Sequence, residues 1–206
     1  MLAGGCALLA SAPCTAADAN GAAPVFEISP FAGYRVGGSL TELSTQQTVN
    51  LNAHGSFALA LDFKADPESQ YEVFYSQQST AVQGVGFAPV SLKIQYLHIG
   101  GTLRLDDTQP RVQPYLAGGL GFTRLAPDSE VGQEDTRFSM SLALGLRLPV
   151  SQRVRLRLEA RGYATFISSD TAIFCRSDQS GASCQLTAKG SAFFQFDFLA
   201  GFSFAF

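Results

Sequence analysis

Between Phe193 and Phe206 apolar and small or polar positions alternate along the chain, with Phe194, Phe196, Phe198, Phe202, Phe204 and Phe206 in one phase and Gln195, Asp197, Gly201 and Ser203 in the other. Side chains change face at every residue of a strand, whereas a helix would scatter these rings around its circumference, so the pattern predicts a strand. The segment exceeds the roughly 9–11 residues that a tilted strand needs to cross a bilayer, and lipid is the natural medium for its aromatic face.

The same period recurs upstream, with no convincing helical period from Asn20 onward. Residues 25–38 set Phe26, Ile28, Ala32, Tyr34 and Val36 against Glu27, Ser29, Gly33 and Arg35, with Pro30 implying a bulge or local edge. Residues 55–65 set Phe57, Leu59, Leu61 and Phe63 against Ala58, Ala60, Asp62 and Lys64; residues 69–78 set Tyr71, Val73 and Tyr75 against Glu72, Phe74 and Ser76. In 90–105 the apolar phase changes near His98, from Leu92, Ile94 and Tyr96 to Leu97, Ile99, Leu103 and Leu105, which predicts a β-bulge near Gly100-Gly101. Segment 112–125 is too rich in glycine for its faces to be assigned. Residues 136–149 oppose Phe138, Met140, Leu142, Leu144, Leu146 and Leu148 to Ser139, Ser141, Ala143, Gly145 and Arg147; residues 153–165 oppose Val154, Leu156, Leu158 and Ala160 to Arg155, Arg157, Glu159, Arg161 and Tyr163.

These segments and the terminal one make eight strands, joined by connections that alternate in length. The links near 66–68, 106–111 and 150–152 are tight, and those near 39–54, 77–89, 126–135 and 166–190 are long and polar. The expected fold is therefore all-β, an eight-stranded antiparallel up-and-down transmembrane β-barrel, with short turns and both termini in the periplasm and long loops outside. A soluble sandwich would leave the aromatic face of the last strand needing a partner sheet, and a soluble lipocalin-type barrel would place its apolar residues inside.

Mean hydropathy is +0.12 and 15% of residues are charged. No apolar run approaches the 18 or so residues of a transmembrane helix, so any crossing is by strands. A net charge of −3 gives no electrostatic footprint for nucleic acid. Residues 1–19 are expected to be a signal peptide, because Leu2 to Ala12 are almost wholly small or apolar and Ala17-Asp18-Ala19 fits a cleavage site; its basic region is missing, as if the start codon were placed too late. Residues 20–206 then form the barrel domain. Cys6 and Cys14 lack the leucine three residues earlier that a lipoprotein signal would carry. Cys175 and Cys184 bracket a polar stretch, and an oxidising periplasm favours a disulfide that closes this surface loop. Their spacing and the presence of only His54 and His98 exclude a zinc or CxxC redox site.

The polar face carries Glu27, Arg35, Asp62, Lys64, Glu72, Lys93, Arg147, Arg155, Arg157, Glu159, Arg161 and Asp197, seven basic and five acidic residues. Eight strands leave an interior only wide enough for side chains, so these charges are expected to pair as a structural plug, with Arg161 against Asp197 or Glu159 at its centre.

The run Leu156-Arg157-Leu158-Glu159-Ala160-Arg161-Gly162-Tyr163, the glycine strand from Pro114-Tyr115 to Phe122 and the aromatic last strand together resemble the small outer-membrane β-barrel family of OmpA-type transmembrane domains, OmpX-like and opacity-type proteins. The resemblance implies a Gram-negative outer-membrane location and a C-terminal insertion signal, Phe202, Phe204 and Phe206, read by the barrel-assembly machinery. Full-length OmpA-type proteins also carry a periplasmic peptidoglycan-binding domain, which is not expected here, so tethering of the cell wall is not expected either. The expected function is non-enzymatic: a surface barrel whose long loops contact host, neighbouring cells or lipopolysaccharide, and whose body supports the envelope among outer-membrane lipids. A narrow channel or hydrophobic-ligand conduit is the alternative. A lipid A-modifying enzyme would need a His–Ser–acid group, for which His54 with Ser56 is the only loop candidate. No catalytic, cofactor or metal residue is expected.

Overall fold

The computed structural model describes residues 25–42, 48–82, 90–105, 111–127, 134–167, 172–178, 181–187 and 192–206. The expected signal segment 1–19, with Cys6 and Cys14, lies outside them. The strands are β1 (Phe26–Gly37), β2 (Ser39–Glu42), β3 (Thr48–Asn50), β4 (His54–Lys64), β5 (Ser69–Val82), β6 (Val90–Arg104), β7 (Gln113–Pro127), β8 (Asp135–Pro149), β9 (Val154–Phe166), β10 (Ala172–Asp178), β11 (Gly181–Thr187) and β12 (Ala192–Ala205). Eight close a barrel in the order β1-β12-β9-β8-β7-β6-β5-β4, every neighbour antiparallel, with β4 returning to β1. A closed barrel leaves no unpaired edge for the bilayer to desolvate.

The alternation sets the wall. On β8 the odd-numbered Ser139, Ser141, Ala143 and Arg147 are buried, while Phe138, Met140, Leu142, Leu144 and Leu146 are exposed. On β12 Gln195, Asp197 and Ser203 point in, and all six phenylalanines of the alternating run are 40–69% exposed. From Phe138 to Leu148 the outward face of β8 spans ten residues, roughly 25 Å of height at about 3.4 Å per residue and a 40° tilt, the thickness of an outer-membrane apolar band. Rings cluster at two levels of that band, Phe26 with Phe63 and Phe206 at the short-turn end, and Phe122 with Phe138 and Phe166 toward the other.

Two local expectations are corrected. Pro30 causes no bulge: the β1–β12 register is the same on either side of it, Ile28 with Phe204 and Phe31 with Gly201, and Pro30 remains paired with Leu59 of β4. Nor is β6 bulged at Gly100-Gly101, where pairing with β5 runs unbroken from Ser69–Leu103 to Val82–Val90. What changes along β6 is the environment. Leu92, Ile94 and Tyr96 share the inward face with His98 and Thr102, while Leu97, Ile99 and Leu103 face lipid. On the unassigned β7, Tyr115, Ala117, Thr123 and Leu125 are buried and Leu120 and Phe122 are exposed. Here Gly145 of β8 is required, since a Cβ there would lie 2.2 Å from the inward Tyr115 ring.

Two of the long connections contain strands of their own. β2 and β3 come from the β1–β4 connection, β10 and β11 from the β9–β12 connection, and together they form a separate sheet in the order β10-β11-β2-β3. The chain leaves β1 through Gly37 and Gly38, whose φ angles of +87° and +93° disfavour any other residue. The turns at 65–69 and 150–154 lie at the opposite end, where Val25 N donates to the Phe206 carbonyl at 3.1 Å. Short turns and both described chain ends thus share one rim.

Candidate functional site in the barrel lumen

Ten of the twelve charged residues named above point into the lumen; Lys64 and Lys93 do not belong to its network. Lys64 is the last residue of β4 and is exposed at the short-turn rim. Lys93 lies on the outer face of β6, because Leu92 and Ile94 take the inward positions beside it. With both removed, the twelve reduce to a network of five guanidinium groups (Arg35, Arg147, Arg155, Arg157, Arg161) and five carboxylates (Glu27, Asp62, Glu72, Glu159, Asp197) among the described residues. That neutrality matters in a site walled off by lipid, where an unmatched charge keeps its desolvation penalty.

The centre is built on β9, whose alternate residues 157, 159 and 161 stack along one face. Arg157 donates to Asp62 at 2.5 Å, Glu72 at 2.9 Å and Glu159 at 3.3 Å, and also to Ser29 and Tyr115. Arg161 donates to Glu159 and Glu72, each at 2.7 Å. Its expected contact with Glu159 is therefore made, and that with Asp197 is not. Although Asp197 is the register partner of both Arg35 and Arg161, it pairs with Arg35 at 2.6 Å and also accepts from Ser56 at 2.5 Å and Tyr163 at 3.3 Å. Arg35 also donates to Ser76. Toward the short-turn end Arg155 pairs with Glu27 at 2.5 Å.

Aromatic faces fill the space between these ions. Arg161 lies 3.7 Å from the Phe74 ring centre, Arg157 sits 5.2 Å from Phe31 and 4.9 Å from Tyr115, and Arg35 lies 4.9 Å from Tyr96 and 5.0 Å from Tyr163. Such contacts are stronger when desolvated. Phe31, Tyr96 and Tyr115 are among the lumen residues that sequence reasoning missed. Phe31 shares parity with Glu27, Ser29 and Arg35, a signal masked by its neighbour Pro30; Tyr115 in a glycine strand is oriented only by register.

Above this network Leu51, Leu92, Ile94, Leu125, Ile167 and Phe193 are buried in one cluster with Tyr96 and Tyr163, beside the uncharged polar Gln78, Thr80, Thr123, Thr165 and Gln195. His98 is buried, its Nε2 lies 2.8 Å from Ser139 Oγ, and its Nδ1 has no partner among the described residues. His54 is exposed, with Nδ1 3.3 Å from the Asn52 carbonyl, and Ser56 is engaged by Asp197, so these two do not form a dyad. Cys175 and Cys184 are direct register partners across β10 and β11. Phe202, Phe204 and Phe206 face outward on β12 and its end.

A lipid-facing aromatic wall around a neutral, packed polar lumen defines a transmembrane β-barrel of the outer-membrane class. Residues 5–189 match the family model of the outer membrane protein beta-barrel domain, and the chain belongs to that family. Its fold is similar to that of Neisserial surface protein A, with a TM-score of 0.58 at 14% identity over 88% of this chain and 97% of that one. It is likewise similar to the outer membrane protein OprG from Pseudomonas aeruginosa (0.59, 11% identity, 89% and 96% covered). The third, AlkL, solved in DMPC lipid bilayers, has a TM-score of 0.53 at 14% identity, with 97% of each chain covered. No curated protein matches the chain in sequence.

Proposed function

We propose that this protein is a non-enzymatic surface barrel, anchored in the outer membrane by a closed body and acting through the loop end. The observation that carries the reading is the packed, charge-balanced network that fills the lumen among the described residues. Arg157 alone engages three carboxylates at 2.5 to 3.3 Å, and the next layer outward is an apolar cluster, an interior built for rigidity rather than passage. Work at a surface then falls to the long connections, two of which carry the β10-β11-β2-β3 sheet on the rigid scaffold. In this reading the short-turn rim and both termini face the periplasm, residues 1–19 are the secretion signal, and a Cys175–Cys184 bridge staples the β10–β11 pair. The barrel-assembly machinery reads Phe202, Phe204 and Phe206. The loop end meets lipopolysaccharide and, beyond it, host or neighbouring cells.

The test combines three measurements on the full protein in the outer membrane and in planar bilayers. Unboiled protein migrates differently from boiled protein on a detergent gel, it gives no stable single-channel conductance, and protease added to intact cells cuts within 168–191. Steady conductance would replace the closed-body reading with the narrow-channel one; cleavage at the short turns instead would invert the orientation. Deleting Phe206 lowers the yield of inserted barrel while leaving secretion unchanged.

A further inference from the structure

Near the short-turn end the lipid-facing wall carries a groove. Tyr71, Gly101, Gly118 and Leu142 are register partners across β5 to β8, on the outward parity of Leu103 and Leu120. The two central positions have no side chain, so this row floors a groove of about 460 Å³ between Tyr71, Leu103, Leu116 and Leu142. Because barrel strands tilt, the row climbs across the wall: Tyr71 stands two residues inside β5, and Leu142 is the middle residue of β8. The foot of the groove is the β4–β5 turn, where Ala65, Asp66 and Ser69 complete the lining.

Packing explains only one of the two glycines. A Cβ at Gly101 would lie 2.7 Å from the Gln70 carbonyl oxygen, whereas one at Gly118 would meet nothing nearer than the Ser141 carbonyl at 3.6 Å, an ordinary contact. Glycine weakens a strand interior, and the next outward positions of β7 are Leu116 and Leu120. Gly118 therefore keeps open a space that its neighbours do not require. At the foot, Asp66 is the one charged residue of the lining; it is exposed, accepts from Ser69 Oγ at 3.0 Å and has no ion pair among the described residues. Tyr71 is 67% exposed, and its hydroxyl has no partner among the described residues.

We infer that this groove is a binding site for a phospholipid with a primary ammonium headgroup, of the phosphatidylethanolamine class. Its ammonium donates to Asp66 and one acyl chain lies over Gly101 and Gly118, so an anionic foot at the water edge and an apolar body toward mid-bilayer meet the two parts of one lipid. The carboxylate sets the choice of head. A primary ammonium brings positive charge with three N–H donors, a quaternary ammonium brings the charge without a donor, and a glycerol headgroup leaves the lipid anionic beside Asp66. The Tyr71 hydroxyl is free to donate to the phosphate. By contrast, the groove of about 420 Å³ over β8, β9 and β12 presents only apolar residues on its outward side and selects no headgroup. The site rests on the lipid-facing wall alone and is the same for either orientation of the barrel.

In the test, the ¹⁵N-labelled full chain is folded into phosphatidylcholine nanodiscs, and the amide resonances of Ser69, Gly101 and Gly118 are followed as phosphatidylethanolamine of the same acyl chains replaces phosphatidylcholine. The expected shift saturates and is half complete at about one phosphatidylethanolamine per three phosphatidylcholines, a threefold preference on the scale of an exposed ion pair. Phosphatidylglycerol produces no such shift. Asp66→Asn, in an exposed turn, removes the preference; Gly118→Val, whose Cβ meets no close neighbour, also removes it while the rest of the spectrum is unchanged. A linear dependence on lipid fraction, or an equal response to phosphatidylglycerol, would reduce the effect to a bulk property of the bilayer and overturn the site. An unchanged preference in Asp66→Asn would overturn it as well, as would an equal response to soluble phosphoethanolamine, which needs no groove. If Gly118→Val fails to insert, Asp66→Asn and the phosphatidylglycerol contrast decide.

Discussion

The two ends of the lumen are built from the same strands, and on β6 and β7 the hydrophobic phase inverts between them. In the part wrapped by the lipid-facing band, the inward positions include all ten network charges and the outward ones are aromatic or aliphatic; toward the long connections the inward positions of β6 and β7 become Leu92, Ile94 and Leu125. The outer face changes over one alternation step. Tyr75, Leu97, Phe122 and Phe138 share a hydrogen-bonded row across β5 to β8, and the next outward row is Gln77, Gln95, Arg124 and Thr136. Arg124 is there paired in the open with Glu134 at 2.5 Å. The switch marks where the outer solvent changes from hydrocarbon to water. A wall facing water needs the ordinary apolar core of a soluble protein, and one facing lipid is free to keep its polar groups inside.

Breaking the ionic end has the largest expected effect. Arg157→Leu strands Asp62, Glu72 and Glu159 and removes the partner of Ser29 and Tyr115, costing about 3–5 kcal/mol and lowering the temperature at which the unboiled gel band is lost. Next comes the outer wall at mid-height: Leu142→Arg places a charge on the lipid face and costs about 2–4 kcal/mol, whereas Gln95→Arg, one row above Leu97, costs about 0–1 kcal/mol, both read by urea unfolding in bilayers. Equal costs at the two positions would erase the boundary. At the apolar end, Ile94→Ala opens a cavity in the cluster and costs about 2–3 kcal/mol in the same assay. The smallest effect is expected of Lys93→Leu. On the outer face above the boundary it changes stability by less than about 0.5 kcal/mol, while a lysine paired within the lumen would have cost several.

This contrast explains where the sequence was readable. Period-two alternation identified all eight barrel segments and the inward face of β1, β4, β5, β8, β9 and β12, because those strands keep one phase along most of their length. It failed on β6, where an inversion of solvent looks the same as a slip of register. Lys93 was placed inside for the same reason: in a strand that crosses the boundary, polarity alone names the wrong face. The glycines of β7 gave no phase at all until Arg104–Tyr115 and Gln113–Arg147 fixed it between its neighbours. Pairing within the lumen was equally hidden, since Asp197 stands in register beside two arginines and goes to only one.

By itself, then, the order of residues determined the number of barrel strands, their lipid face and the supply of charge for the interior, because alternation is a property of a single strand and needs no partner. Tertiary structure alone decided which guanidinium meets which carboxylate, that the network's five cations face five carboxylates, and where the wall leaves the membrane. Those depend on closure, which sets each strand at a fixed height against its neighbours and brings residues as far apart in the chain as Arg35 and Asp197 to 2.6 Å.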